Sequence, residues 1–320
     1  MPAASSGERG GCQLVGATAT AHSLRVGRGS CRSRGHAATA FPLGEEPYNG
    51  RVIAARLSVF LRRARRLGLL ALHVAWGVTL VALAFPVMGR AQRDRTIMAW
   101  ARRLLRVLGV QVKLDAPPNL PGGALLVCNH VSWLDIYLIH ATQRVHFVSK
   151  SEVRAWPVAG WLAHKTGTLF LERGRRADTA RVNAEMRALM QAGAWVAVFP
   201  EGTTSDGRGL RRFLPSLLQP AIELQCPILP AALRYRTLAG EYSAAPAYIE
   251  HVSLWRSFLQ IVSEPGLVAE LQFGEPLLPD RHRRELAAAA ELSVAGLLGL
   301  KVADASPAGT APRTPAGPQA

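Results

Sequence analysis

The sequence predicts an α/β fold: a mixed, largely buried sheet flanked by helices and preceded by a membrane-embedded N-terminal helix. Three observations predict it. From Ala124 onward, short β-like runs alternate with helical ones, the pattern of a sheet covered by helices. Leu67 to Met88 reads LGLLALHVAWGVTLVALAFPVM, the length of apolar chain that a bilayer crossing needs. Both ends of the chain lack apolar periodicity and offer nothing to bury.

In order, residues 1–50 mix Gly, Ser, Ala and Arg without the apolar run of a signal peptide and are expected to be a disordered basic extension. Segment 51–112 is the expected membrane-anchoring helical part. Its cluster Arg62-Arg63-Ala64-Arg65-Arg66 abuts the apolar stretch and favours a cytoplasmic N-terminal flank. Arg90, Arg93 and Arg95 follow the stretch, so a hairpin or half-buried helix is also open, as is a buried core helix. The next run, DRTIMAWARRLLRVLGV, repeats Ile97, Trp100, Leu104 and Leu108 at helical spacing among arginines. It reads as an interfacial helix or as one packed on the main domain. That domain is expected over 113–302, with strands in ALLVC, VHFVS, TLFLE, AWVAVF, ILPAAL and LVAELQF, helical stretches at 175–192 and 211–224, and a closing helix at about 282–300. The tail, 303–320, is rich in Pro and Gly and is expected to be disordered.

Thirty-eight basic residues, 34 of them Arg, oppose 22 acidic ones for a net charge of +16. Such a balance implies anionic partners, either nucleic acid or a phospholipid surface. The basic cluster beside the apolar stretch favours the membrane, and no RNA- or DNA-reading motif is present. Cys12, Cys31, Cys128 and Cys226 have no metal-ligand spacing, which predicts neither a disulfide framework nor a structural zinc.

Three constellations can carry chemistry. In Cys128-Asn129-His130-Val131-Ser132-Trp133-Leu134-Asp135 an apolar strand gives way to a helical pattern. Five residues of regular helix turn a side chain through about 140°, so His130 and Asp135 meet only if His130 precedes the helix and Asp135 lies in its first turn, with Ser132 as N-cap. The pair is then either a base and its orienter or a capping arrangement beside a structural histidine. Cys128 reads as a buried strand thiol. Phe199-Pro200-Glu201-Gly202-Thr203-Thr204-Ser205 crowds a carboxylate, a glycine and hydroxyls at a second strand end, which suits either a polar substrate group or an ordinary turn. Gly167-Thr168-Leu169-Phe170-Leu171-Glu172-Arg173 delivers Arg173 to a third, where a guanidinium can grip a phosphate or simply be solvated.

NHVSWLD, GTLFLER and FPEGTTS, in that order, resemble the NHxSxxD, GxxFxxR and FPEGTxS blocks of the glycerophospholipid acyltransferase family. Pro227-Ile228-Leu229-Pro230-Ala231 stands where the family's fourth, proline-containing apolar block is expected. The resemblance covers about 90–290. It implies a glycerolipid acyltransferase-like domain with no metal and no cofactor. The implied reaction moves an acyl chain from acyl-CoA or acyl-carrier protein to a lysophospholipid, most often 1-acylglycerol 3-phosphate, giving phosphatidic acid. It casts His130 as the base, Asp135 as its orienter, and Arg173, Glu201, Gly202 and Thr203 as substrate-binding residues. Attack is expected to be direct, since no GxSxG elbow is present, with backbone N–H groups of the helix after His130 as oxyanion donors. The implied location is a bacterial inner membrane with the site on its cytoplasmic face. One departure is Phe213-Leu214 where the family often has Phe-Lys, with Arg211 and Arg212 just before it. The alternatives are a lyso-ornithine lipid or another lysolipid as acceptor, and a non-catalytic membrane lipid-binding protein.

Overall fold

The computed structural model describes residues 48–300 apart from 121, 173, 250 and 251. The expected tail, and the expected extension as far as residue 47, lie outside these residues. In chain order the helices and strands begin with α1 (Tyr48–Thr79), α2 (Arg90–Leu108), β1 (Val110–Leu114), β2 (Leu125–Cys128) and α3 (Leu134–Thr142). They continue through β3 (Val145–Lys150), α4 (Ala159–Lys165), β4 (Leu169–Leu171), α5 (Arg176–Gln191) and β5 (Trp195–Val198). The last are α6 (Gln219–Glu223), β6 (Ile228–Thr237), α7 (Leu254–Ser263), β7 (Leu267–Phe273) and α8 (Arg283–Leu298).

α1 begins inside the expected extension and continues through a π turn at Leu80–Ala84 and a 3-10 turn at Phe85–Val87. Pro86 explains the ending: it has no N–H to donate back, and its ring crowds the carbonyl four residues earlier. The stretch Val52–Val87 is long and apolar enough to cross a membrane, and only 17% of its 18-residue apolar window is buried, unlike a core helix, which is covered on most sides. α2 packs beside it. His73 donates from Nε2 to the Trp100 carbonyl at 3.1 Å, Trp100 Nε1 donates to the His73 carbonyl at 3.2 Å, and the two rings stack at 4.5 Å. Gly77 makes room for this, because a Cβ there would sit 2.6 Å from Trp100 Nε1.

Ile97, Ala101, Leu104, Leu105 and Leu108 form the buried face of α2, while Arg95, Arg102, Arg103 and Arg106 stay exposed. The helix is therefore amphipathic and packed on the domain. It stops at Gly109, whose left-handed φ of +79° turns the chain into β1. That strand was not anticipated, and the expected boundary at 112/113 falls inside it.

Among the described residues, seven strands form one mixed sheet in the order β1-β7-β6-β2-β5-β3-β4. Only β6 and β7 pair antiparallel. β2 and β5 are buried along their whole length, as expected of strands covered on both faces. Alternation sends Leu126 and Cys128 into one core layer with α2, α3 and α7, and Leu125 and Val127 into the other with α5 and α8. Of the two expected helical stretches, 175–192 becomes α5. The other, 211–224, shortens to a 3-10 turn at Pro215–Leu218 followed by α6, because Pro215 and Pro220 each remove a ladder N–H.

The basic cluster of α1 grips the end of α7. Arg62 Nε donates to the Ser263 carbonyl at 3.0 Å and Arg63 Nε to the Ser263 hydroxyl. Arg66 donates to the Val262, Glu264 and Pro265 carbonyls at 3.2, 2.6 and 3.1 Å. The Val262 and Ser263 carbonyls are orphans at the negative dipole end of α7, where cations are favoured, and Glu264 and Pro265 follow directly on that end. Part of a cluster read as facing lipid phosphates thus fastens α1 to the domain. Arg66→Ala is expected to leave those carbonyls unpaired and to destabilise the protein by about 2–3 kcal/mol. A thermal midpoint in detergent equal to that of the wild type would show that the grip contributes nothing.

Candidate active site

Parallel strands end together, so the residues that follow β2, β5 and β4 gather at one edge of the sheet, where α/β folds keep their ligands. His130 follows β2 and Glu201 follows β5, its direct neighbour. Arg173 follows β4 but lies outside the described residues. Beyond it, Arg175 is exposed and paired with Glu172 at 2.8 Å.

Asn129 extends the ladder past the end of β2 with its side chain. Its Nδ2 donates to the Leu233 carbonyl at 3.0 Å and its Oδ1 accepts from the Leu233 N–H at 2.7 Å. The chain then turns, and Asp135, in the first turn of α3, reaches back. Its Oδ2 accepts from His130 Nδ1 at 2.8 Å, from the Val131 N–H at 2.7 Å and from the Ser132 N–H at 2.9 Å. The other oxygen, Oδ1, accepts from the Tyr235 hydroxyl at 2.7 Å. Asp135 is wholly buried. The two readings of the His130/Asp135 spacing coexist, since one oxygen both orients the imidazole and organises the turn before the helix. The expected cap shifts slightly: α3 starts at Leu134, with Trp133 in the cap position and the Ser132 hydroxyl accepting from the Leu134 N–H at 3.3 Å.

Because Nδ1–H points at a carboxylate, Nε2 is the nitrogen that carries the free lone pair. The His130 ring lies flat on Phe199, centroids 3.9 Å apart and planes 8° from parallel. A fifth of its side chain is accessible, so a substrate can reach it. Cys128, by contrast, is buried; desolvation pushes its thiol well above the ordinary range, helped by the Asp135 and Glu201 charges. This is the inert strand thiol expected.

The FPEGTTS block holds the main chain of His130. Glu201 Oε1 accepts from the His130 N–H at 2.7 Å and Oε2 from the Arg211 N–H at 3.0 Å. On the other side of the same residue, the Ser205 N–H donates to the His130 carbonyl at 2.8 Å. Gly202 adopts φ +75°, where a Cβ would meet Leu214 Cδ1 at 3.1 Å, and so supplies the tight turn between the two clamps. The Thr204 hydroxyl donates to the Tyr248 carbonyl, and the Tyr248 N–H donates to the Val131 carbonyl at 2.9 Å. Thr203 is half-buried and, among the described residues, its hydroxyl has no protein partner. Of the N–H groups at the start of α3, those of Val131, Ser132, Leu134 and Asp135 are already engaged, which narrows the expected oxyanion donors there to the Trp133 N–H. Tyr235, Asn129 and Ser205 were not singled out from the sequence. Strand alternation was the available signal for Tyr235: the partner of Cys128 is Ala231, and Leu233 and Tyr235 follow on its face.

The chain is similar to known acyltransferases. The sequence pattern of the family described as Acyltransferase matches residues 111–234. The chain is 41% identical over 189 residues to a lyso-ornithine lipid O-acyltransferase of Pseudomonas aeruginosa, covering 57% of this chain and 70% of that one. It is 36% identical over 182 residues to a 1-acyl-sn-glycerol-3-phosphate acyltransferase of Neisseria gonorrhoeae, covering 57% and 71%. Among solved structures, the 1-acyl-sn-glycerophosphate acyltransferase of Thermotoga maritima superposes with a TM-score of 0.54 at 22% identity, over 74% of this chain and 96% of that one, a likeness of fold.

Burial pushes the Glu201 carboxyl up to about 7, against the two backbone donors that stabilise its charge. Folded protein therefore holds this proton up to about pH 7, while the unfolded chain releases it near 4.5, so stability falls as pH rises through that window. On the order of 3 kcal/mol is involved. Thermal midpoints of the wild type should decline between those values relative to Glu201→Gln, which cannot titrate. Parallel courses would mean that the carboxyl titrates normally.

Proposed function

Because the chain belongs to the glycerophospholipid acyltransferase family, we propose that it transfers an acyl chain from a thioester to the hydroxyl of a lysolipid, with His130 as the general base. The observation that carries this reading is the 2.8 Å hydrogen bond from His130 Nδ1 to a buried Asp135. It fixes the tautomer, leaving Nε2 to take the hydroxyl proton as the oxygen attacks the thioester carbonyl carbon. The tetrahedral oxyanion then collapses, the C–S bond breaks, and the leaving thiolate recovers the proton from Nε2. Asp135 stays ionised and stabilises the imidazolium. Its four donors support that role, since they fix in place the carboxylate that orients the ring.

The proposed acceptor is 1-acylglycerol 3-phosphate, with Arg173 and Thr203 as the residues that meet its phosphate, and the product is phosphatidic acid. The activity for which the Pseudomonas relative is named favours a second acceptor, a lyso-ornithine lipid, whose carboxylate would meet the same arginine. Acyl-CoA and acyl-carrier protein are both anionic, and Arg208, Arg211 and Arg212 are exposed on the loop that carries Glu201, a suitable contact for either. Glu201 and Gly202 serve by posing His130. α1 would hold the enzyme at a bacterial inner membrane, with the site on the cytoplasmic face.

Purified protein is to be assayed with both donors against a panel of lysolipids. Turnover of phosphate-bearing acceptors supports the first reading, turnover of lyso-ornithine lipid alone supports the second, and turnover of neither rejects both. His130→Ala should abolish transfer in folded protein. Asp135→Asn, which can present an N–H to the ring and select the wrong tautomer, should lower kcat by a factor of about 10² to 10⁴. Unchanged kcat with a lowered thermal midpoint would leave Asp135 a capping role only.

A further inference from the structure

Between the α1–α2 pair and α3 lies a cavity of about 390 Å³. Its walls are aliphatic and aromatic, with Val81, Phe85, Leu104, Leu162 and Phe258 among them. At roughly 30 Å³ for each water-sized group, it holds on the order of a dozen methylenes, the dimensions of an acyl chain. Trp133, three residues beyond His130 in sequence, is part of the wall.

Polar side chains interrupt this lining: the hydroxyls of Thr96, Ser149, Thr166 and Thr168, and on α3 a phenol and an imidazole. Tyr137 and His140 sit one turn apart on α3, hence on one face, and both line the cavity. Among the described residues, neither the Tyr137 hydroxyl nor either ring nitrogen of His140 has a hydrogen-bond partner; His140 Nδ1 is sealed off, which leaves Nε2 and the phenol as the atoms a ligand can reach. His140 is 7% exposed and braced edge-on against Phe147 at 5.0 Å. Unpaired polar groups in such surroundings are costly and call for a partner. Both groups are also uncharged: burial, with Arg144 and His146 nearby, pushes His140 down to about 3, and burial pushes Tyr137 up to about 12. A neutral imidazole and a phenol each offer one donor and one acceptor. Their complement is a neutral group that can donate and accept; a phosphate or carboxylate would enter an apolar space without a counter-charge.

We propose that Tyr137 and His140 form a hydroxyl-recognition subsite within an acyl-chain cavity, so that the enzyme prefers a chain carrying a hydroxyl where it passes α3. The inference rests on the acyltransferase reading above. The shared chemistry is a mono-hydroxylated acyl chain, and it can arrive on the thioester donor or on the lysolipid acceptor.

Two series of assays on the full-length protein separate these sources. In one, donors with a hydroxyl at successive chain positions are compared with plain donors of equal length, using a plain acceptor. In the other, the hydroxyl is on the acceptor's chain and the donor is plain. The expected result is a kcat/KM preference of about tenfold at one position in one series, the scale of one or two neutral hydrogen bonds. Tyr137→Phe, which removes only an oxygen, and His140→Leu should each cut that ratio by about threefold or more, with thermal midpoints reporting that the variants are folded. Turnover of plain chains with no preference at any position would overturn the subsite and assign the pair to bound water. A preference that survives both substitutions would overturn it too. Absence of turnover with any thioester would reject the acyltransferase reading itself, and this inference with it.

Discussion

A carboxylate cut off from solvent persists as an anion only if donors replace the water it has lost. Asp135 is in that position, and much of the surrounding architecture supplies its donors. The turn before α3 brings two backbone N–H groups and an imidazole to one oxygen. β6 brings a phenol to the other from a hundred residues away. Tyr235 arrives there because β6 lies directly beside β2 and because the Asn129 amide continues their pairing to Leu233. Long-range strand order and a local turn thus converge on one side chain.

The sheet was readable because its central strands are unbroken apolar runs, and six of its strands fall where the alternation placed them. β1 was not. VQVKL is short, and its last three residues are at least partly accessible. It also follows at once on an arginine-rich helical pattern, so its only mark is the glycine at which α2 ends. Among the site residues, His130 and Asp135 were legible as a spacing, because side-chain chemistry shows in sequence. The donors that engage Glu201 were not, since backbone N–H groups carry no residue code. Tyr235 was hidden for a related reason: its partner is remote in the chain, and a tyrosine in a strand ordinarily signals only packing.

The basic cluster shows how charge is misread when geometry is missing. Beside an apolar helix, arginines suggest lipid phosphates, and Arg65 is indeed exposed. Yet Arg62, Arg63 and Arg66 spend donors on the C-terminal end of α7. A guanidinium has enough N–H groups to do this and still carry its charge, so attachment to the domain and attraction to an anionic surface are compatible in one cluster.

The double hold on the His130 peptide alters how mutational data from this chain are to be interpreted. Glu201 holds the His130 N–H with its carboxyl group, and Ser205 holds the carbonyl with its N–H and its hydroxyl, so the loss of either side chain loosens the support of the imidazole while leaving the imidazole itself in place. Such variants would mimic the loss of a reacting group, with turnover depressed and apparent affinity spared. An alanine scan ranked by activity would then draw the boundary of the active site too wide, counting Glu201 and Ser205 among the substrate's contacts on the strength of bonds that set the attitude of one ring.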